Sequence, residues 1–175
     1  MGRHIVLTAI AKDRPGLVDA LASVIAAAGG NWLESSMARL GGEFAGIVSV
    51  DVPEDRAAEL EAALAALSAQ GISVNVVRGG GGNGTEGRRL RLDLVCQDQP
   101  GILRAVTQVI AAQGASIETL ETIVSPGSMS GELLFRASAD LILPDTTSIA
   151  SLEAAIQAIA ADIMADIEMS EDTED

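Results

Sequence analysis

Two short segments of this chain combine residue types that can hold a small zwitterion. Asp13-Arg14-Pro15-Gly16-Leu17 and Asp98-Gln99-Pro100-Gly101-Ile102 each place an acid just before a Pro-Gly step and an apolar run. Proline suits the first turn of a helix, where its missing N–H costs nothing. Glycine lets the backbone come close to a ligand, and the N–H groups of a helix start are free to meet a carboxylate. The adjacent Asp can meet an ammonium group. Asn31 and Ser116, which open the following strand, are expected beside the same corners, completing a grip on both ends of a small amino acid. Asp-x-Pro-Gly is equally sound turn chemistry with no ligand at all, and the residues by themselves leave both readings open.

Other chemistries lack their parts. The chain has one histidine and one cysteine, so a His-rich metal site and an internal disulfide are both excluded. His4 stands at the start of a strand, and no second histidine exists to build a relay with Ser35 or Ser36. Cys96 falls on the apolar side of its strand, as a small buried hydrophobe does. Aromatic residues make up 2% of the chain and tyrosine is absent, which leaves almost nothing on which a base or sugar could stack. No catalytic constellation emerges, and neither an enzyme nor a cofactor is expected.

The elements that must position the two corners come from an internal repeat. An offset of 85 residues lays the first corner on the second without a gap, and the match continues. Ala20 meets Ala105, Val24-Ile25-Ala26-Ala27 meets Val109-Ile110-Ala111-Ala112, and Gly29 meets Gly114. Between the copies, residues 79–87 contain six glycines and read as a flexible linker. A phosphate-binding loop would need a helix directly after its glycines. Here an alternating strand follows, Arg88-Arg89-Leu90-Arg91-Leu92-Asp93-Leu94.

Each copy reads as strand, helix, strand, strand, helix, strand. In the first, Ile5 to Ala11 form a strand whose faces are both fairly apolar, and Leu17, Leu21, Val24, Ile25 and Ala28 share a helical face. Gly29-Gly30 stops that helix. Gly41-Gly42 joins two extended runs as a tight hairpin. Leu60, Leu64 and Leu67 mark the second helix, Gly71 ends it, and Ile72 to Val77 close the unit. The second copy places Ile102, Val106, Val109 and Ile110 inward, then Leu152, Ile156, Ile159 and Ile163, and its hairpin over residues 125–131 is longer. The predicted fold class is α+β: two ferredoxin-like βαββαβ units, each an antiparallel four-stranded sheet with two helices on one face. The expected boundaries are 1–78, a linker over 79–87, 88–169, and an acidic tail over 170–175.

Lys12-Asp13-Arg14-Pro15-Gly16-Leu17 with Ala28-Gly29-Gly30-Asn31 resembles the ACT domain, a small regulatory module that typically binds amino acids. So does Gln97-Asp98-Gln99-Pro100-Gly101-Ile102 with Gln113-Gly114-Ala115-Ser116. The tandem arrangement, with the stretch Asn31 to Phe44, is similar to the glycine cleavage system transcriptional repressor family. That resemblance implies ligand contacts at Asp13, Arg14, Pro15, Gly16, Leu17 and Asn31, and at Asp98, Gln99, Pro100, Gly101, Ile102 and Ser116. It also implies a non-catalytic sensor of a small amino acid, glycine or serine, that binds an activator protein rather than DNA. The second copy departs from the pattern, with Gln99 in place of Arg14 and Ser116 in place of Asn31. A regulatory subunit of an amino-acid metabolic enzyme and a ligand-free pairing module are the alternatives.

Charge agrees with the indirect role. Asp and Glu number 25 against 11 Lys and Arg, a formal charge of −14. Such a surface repels phosphate, so neither nucleic acid nor an anionic membrane is an expected partner. No targeting or membrane-spanning pattern is present, and a cytoplasmic protein is expected. The seven acids from Asp162 onward read as a solvated end, with a docking tail for a basic partner as the alternative. Open sheet faces and edges favour a homodimer.

Overall fold

The computed structural model of the chain describes residues 2–78, 86–128 and 131–171. It divides into two compact units, residues 1–82 and 83–175.

In the first unit the order is β1 (Gly2–Lys12), α1 (Leu17–Ala27), β2 (Asn31–Leu40), β3 (Glu43–Pro53), α2 (Ala57–Ala66) and β4 (Ile72–Arg78). The strands form one sheet in the order β2-β3-β1-β4 with every neighbouring pair antiparallel. Alternation decides the faces. Ile5, Leu7, Ala9 and Ala11 of β1 and Val48, Val50 and Val52 of β3 are buried. They pack with Leu17, Leu21 and Ile25 of α1 and Leu60 and Leu64 of α2. Val6, Thr8 and Ile10 point to the other face, which no helix of this unit covers. Gly29, with φ +70°, ends α1: its N–H reaches the Ala26 carbonyl (2.9 Å), and that of Gly30 reaches Ile25 (2.9 Å).

The second unit repeats the plan with β5 (Arg88–Gln97), α3 (Ile102–Ala112), β6 (Ser116–Pro126), β7 (Leu133–Leu143), α4 (Ile149–Ile163) and β8 (Asp166–Glu171). Its sheet order is β6-β7-β5-β8. Gly114 and Ala115 close α3 with the same pair of bonds, to Ala111 (2.9 Å) and Ile110 (3.2 Å). Ser148 caps α4 by accepting the Ser151 N–H at 3.1 Å.

Two local expectations shift. The buried stripe of α4 is Leu152, Ile156 and Ala160, stepping by four, which leaves Ile159 and Ile163 half-buried at its margin. Strand β8 runs on through Ser170 and Glu171, because both still pair with β5, at Arg91 and Leu90. The linker residues 79–85, Met129 and Ser130 of the hairpin, and the tail residues 172–175 lie outside the described residues.

Candidate functional site

The two Pro-Gly corners have closely similar backbones. Gly16 adopts φ +88° and Gly101 φ +92°, both in the region that favours glycine. Each glycine then starts a helix through its carbonyl, which accepts the N–H of Ala20 or Ala105 at 3.0 Å. No side chain caps either helix, so the N–H groups of the first turn stay free and point outward. Asp13, Arg14, Pro15 and Gly16 are exposed, as are Asp98, Gln99, Pro100 and Gly101. Leu17 and Ile102 differ from them: both side chains are buried, so only their backbone can meet a ligand.

The β2–β3 hairpin adjoins the first corner. The Asp13 N–H donates to the Gly42 carbonyl (2.9 Å), and Arg39 Nη1 donates to Asp13 Oδ2 (3.0 Å). Lys12 pairs with Glu43 across β1 and β3, and Arg14 Nη2 donates to the Gln70 carbonyl (2.8 Å). Sequence reasoning did not assign Arg39, Gly42 or Glu43 to this corner, although the short Gly-Gly hairpin puts them level with the end of β1. In the second unit the Asp98 N–H donates to Leu133 O (2.8 Å) and Gln99 Nε2 to Ile163 O (3.5 Å). Val124 stands where Arg39 stands in the first unit, and no ion pair reaches Asp98 among the described residues.

Asn31 and Ser116 are not beside these corners. Asn31 lies opposite Asp51, and Asp51 lies opposite His4 at the start of β1. Lys12, which precedes the corner, is eight residues further along β1, or ~26 Å at the rise of an extended strand. Ser116 stands opposite Ile142, and Ile142 opposite Arg89, again at the starting end. The reason is topological. Helix α1 carries the chain back along the sheet, so β2 begins where β1 began.

Reactive side chains are quiet. Cys96 is buried in the second core, and desolvation, followed by the negative charge of Asp98, pushes its thiol above the ordinary value of 9.0. His4 Nε2 lies 3.3 Å from Ser49 Oγ. Among the described residues, no side chain that is polar or charged is buried, and no group of three or more His, Cys, Asp or Glu is placed to hold a metal ion. No described helix is long and apolar enough to cross a membrane.

Two four-stranded βαββαβ units, each with an exposed glycine corner over an apolar core, define a tandem ferredoxin-like protein. Residues 3–76 and residues 90–161 each match an ACT domain family model, and the chain belongs to the ACT domain family. A protein of unknown function from Galdieria sulphuraria has a similar structure, with a TM-score of 0.83, 28% identity, and 98% of this chain and 99% of that chain covered. A candidate glycine cleavage system transcriptional repressor is also similar, with a TM-score of 0.73 and 17% identity over 98% of each chain. At that identity the likeness to the repressor is one of fold. No curated protein matches the sequence.

Proposed function

We propose that this protein is a non-catalytic regulator that senses a small amino acid, glycine or serine, and acts on a protein partner such as a transcriptional activator rather than on DNA. The observation that carries this reading is the pair of ACT domains, matched over residues 3–76 and 90–161, that account for most of the chain. The corner geometry supports it: free helix-start N–H groups suit a carboxylate, and Asp13 or Asp98 suits an ammonium group. The likeness in fold to the candidate repressor agrees with it, as does the charge of −14, which disfavours direct contact with DNA.

The first corner is the sensing site in this reading. Asn31 joins it only from a second copy of the chain whose sheet runs the opposite way, edge to edge. Gln99 and Ser116 make the second corner the weaker of the two. A thermal-shift screen of the purified chain against the twenty amino acids tests the proposal. Ligand at 100 times its Kd stabilises by ~2.7 kcal/mol, so glycine or serine should raise the melting temperature by several degrees. No shift with any amino acid would refute the sensor reading.

A further inference from the structure

The first corner carries a cation that the second lacks. Arg39 follows Met37 by two residues and so stands on the helix-facing side of β2, in one row with Phe44 and Ala11 and level with the end of β1. From there its Nη1 donates to Asp13 Oδ2 at 3.0 Å. In the second unit the same row is Val124, Phe135 and Cys96, and among the described residues no cation pairs with Asp98. Arg14, the other arginine of the first corner, turns away. It donates to the Gln70 carbonyl at 2.8 Å, just before β4, and β4 flanks β1 on the side opposite β3 and β2. Among the described residues Asp13 and Arg39 have no side-chain partner except each other.

We propose that Arg39 binds the carboxylate of the amino acid at the first corner, and that the Asp13–Arg39 pair selects free α-amino acids over amines or acids that carry one charge alone. The inference deepens the sensor reading above and rests on it. A guanidinium presents its N–H donors in a planar fork that matches a carboxylate. Arg39 commits one of them to Asp13, and Asp13 commits one oxygen to Arg39. A zwitterion laid head to tail along the pair sets its ammonium on Asp13 Oδ1 and its carboxylate on the remaining N–H groups of Arg39, with the existing bond kept. Both new contacts are charge-assisted, and the free N–H groups at the start of α1 add to the attraction for the same carboxylate. At the second corner Asp98 stands without a cation, so it attracts the ammonium of such a ligand and repels its carboxylate. The pair is open to solvent, with Arg39 70% and Asp13 31% exposed. A ligand therefore reaches it without moving the core, and the pair itself adds little to stability.

Melting curves of the full chain titrated with glycine, serine and glycinamide test this. The wild type should respond to glycine or serine and only weakly to glycinamide, which keeps the ammonium and has no carboxylate. Arg39→Gln should melt like the wild type without ligand. It should need about 10-fold or more glycine or serine for the half-maximal shift, and lose the preference over glycinamide. Arg39→Lys should recover part of the response, because its ammonium meets the carboxylate without the fork. Lys12→Gln removes a charge from the same end of the sheet on its other face and should respond as the wild type does. An Arg39→Gln chain that binds as tightly as the wild type, or more tightly, overturns the inference and leaves the sensor reading standing; tighter binding is what a guanidinium that only competes for Asp13 would give. Equal weakening of the amino acids and glycinamide also overturns it, since Arg39 would then only position Asp13. So does a lost response in Lys12→Gln, which a general effect of charge would produce. A wild type that answers to neither glycine nor serine refutes the sensor reading itself, and the inference falls with it.

Discussion

Asn31 lies at the opposite end of the first sheet from Asp13. Both Asn31 and His4 stand opposite Asp51, whereas Asp13 follows Lys12 and is tied to the hairpin by Gly42 and Arg39. One unit therefore cannot close both residues on one small ligand. If each grips the same amino acid, the two must come from different copies.

That arrangement has a distinctive consequence. Asp13→Ala and Asn31→Ala should each abolish the thermal shift given by the amino acid that stabilises the wild type. Mixing the two variants should restore part of it, because each mixed pair holds one intact site. Recovery would be read from melting curves of the remixed proteins. An Asn31→Ala chain that responds like the wild type would remove Asn31 from the site and leave the corner acting alone.

The corner glycines should show a backbone cost and nothing else. A Cβ on Gly16 or Gly101 would meet no atom within 4 Å, so alanine there creates no clash. The positive φ is what alanine resists, at ~1 kcal/mol. Gly16→Ala and Gly101→Ala should each lower the unfolding free energy by that amount, seen as a lower urea midpoint with an unchanged slope. An unchanged midpoint would mean that the corner does not hold its left-handed conformation in solution.

Asp140 makes the second unit's open face sensitive to acid. The Thr119 hydroxyl and then the Arg91 guanidinium hold its carboxyl below the ordinary value of 3.8. A carboxylate whose folded value is depressed stabilises fully above its unfolded value, and that contribution is lost as pH falls through the folded one. The group is about one-third exposed, so screening limits its worth to ~1 kcal/mol or less. Asp140→Asn should be slightly less stable than wild type at pH 7, with the difference shrinking as pH falls below 3.8 and gone once the folded-state carboxyl is protonated. A difference that persisted there would point to packing rather than charge.

Much of the fold was legible because its signals are local. The offset of 85 residues gave the duplication, and the spacing of Leu17, Leu21 and Ile25 marked α1. Gly41-Gly42 marked the hairpin, which closes with φ +60° and +82°. Each of these follows from side-chain periodicity or from the conformations open to glycine within a few residues. The contrast between Val6, Thr8 and Ile10 and their counterparts Arg91, Asp93 and Val95 was also present in the residues.

Asn31 was misplaced because its position depends on partners far along the chain. The sequence by itself determined two βαββαβ units, their strand and helix faces, and two corners that need glycine. Only the tertiary structure decided that β3 lies between β1 and β2, and the register that sets Asn31 and His4 both opposite Asp51. Register between strands is set by the joint burial of whole faces across the sheet, and no short window of residues contains that sum.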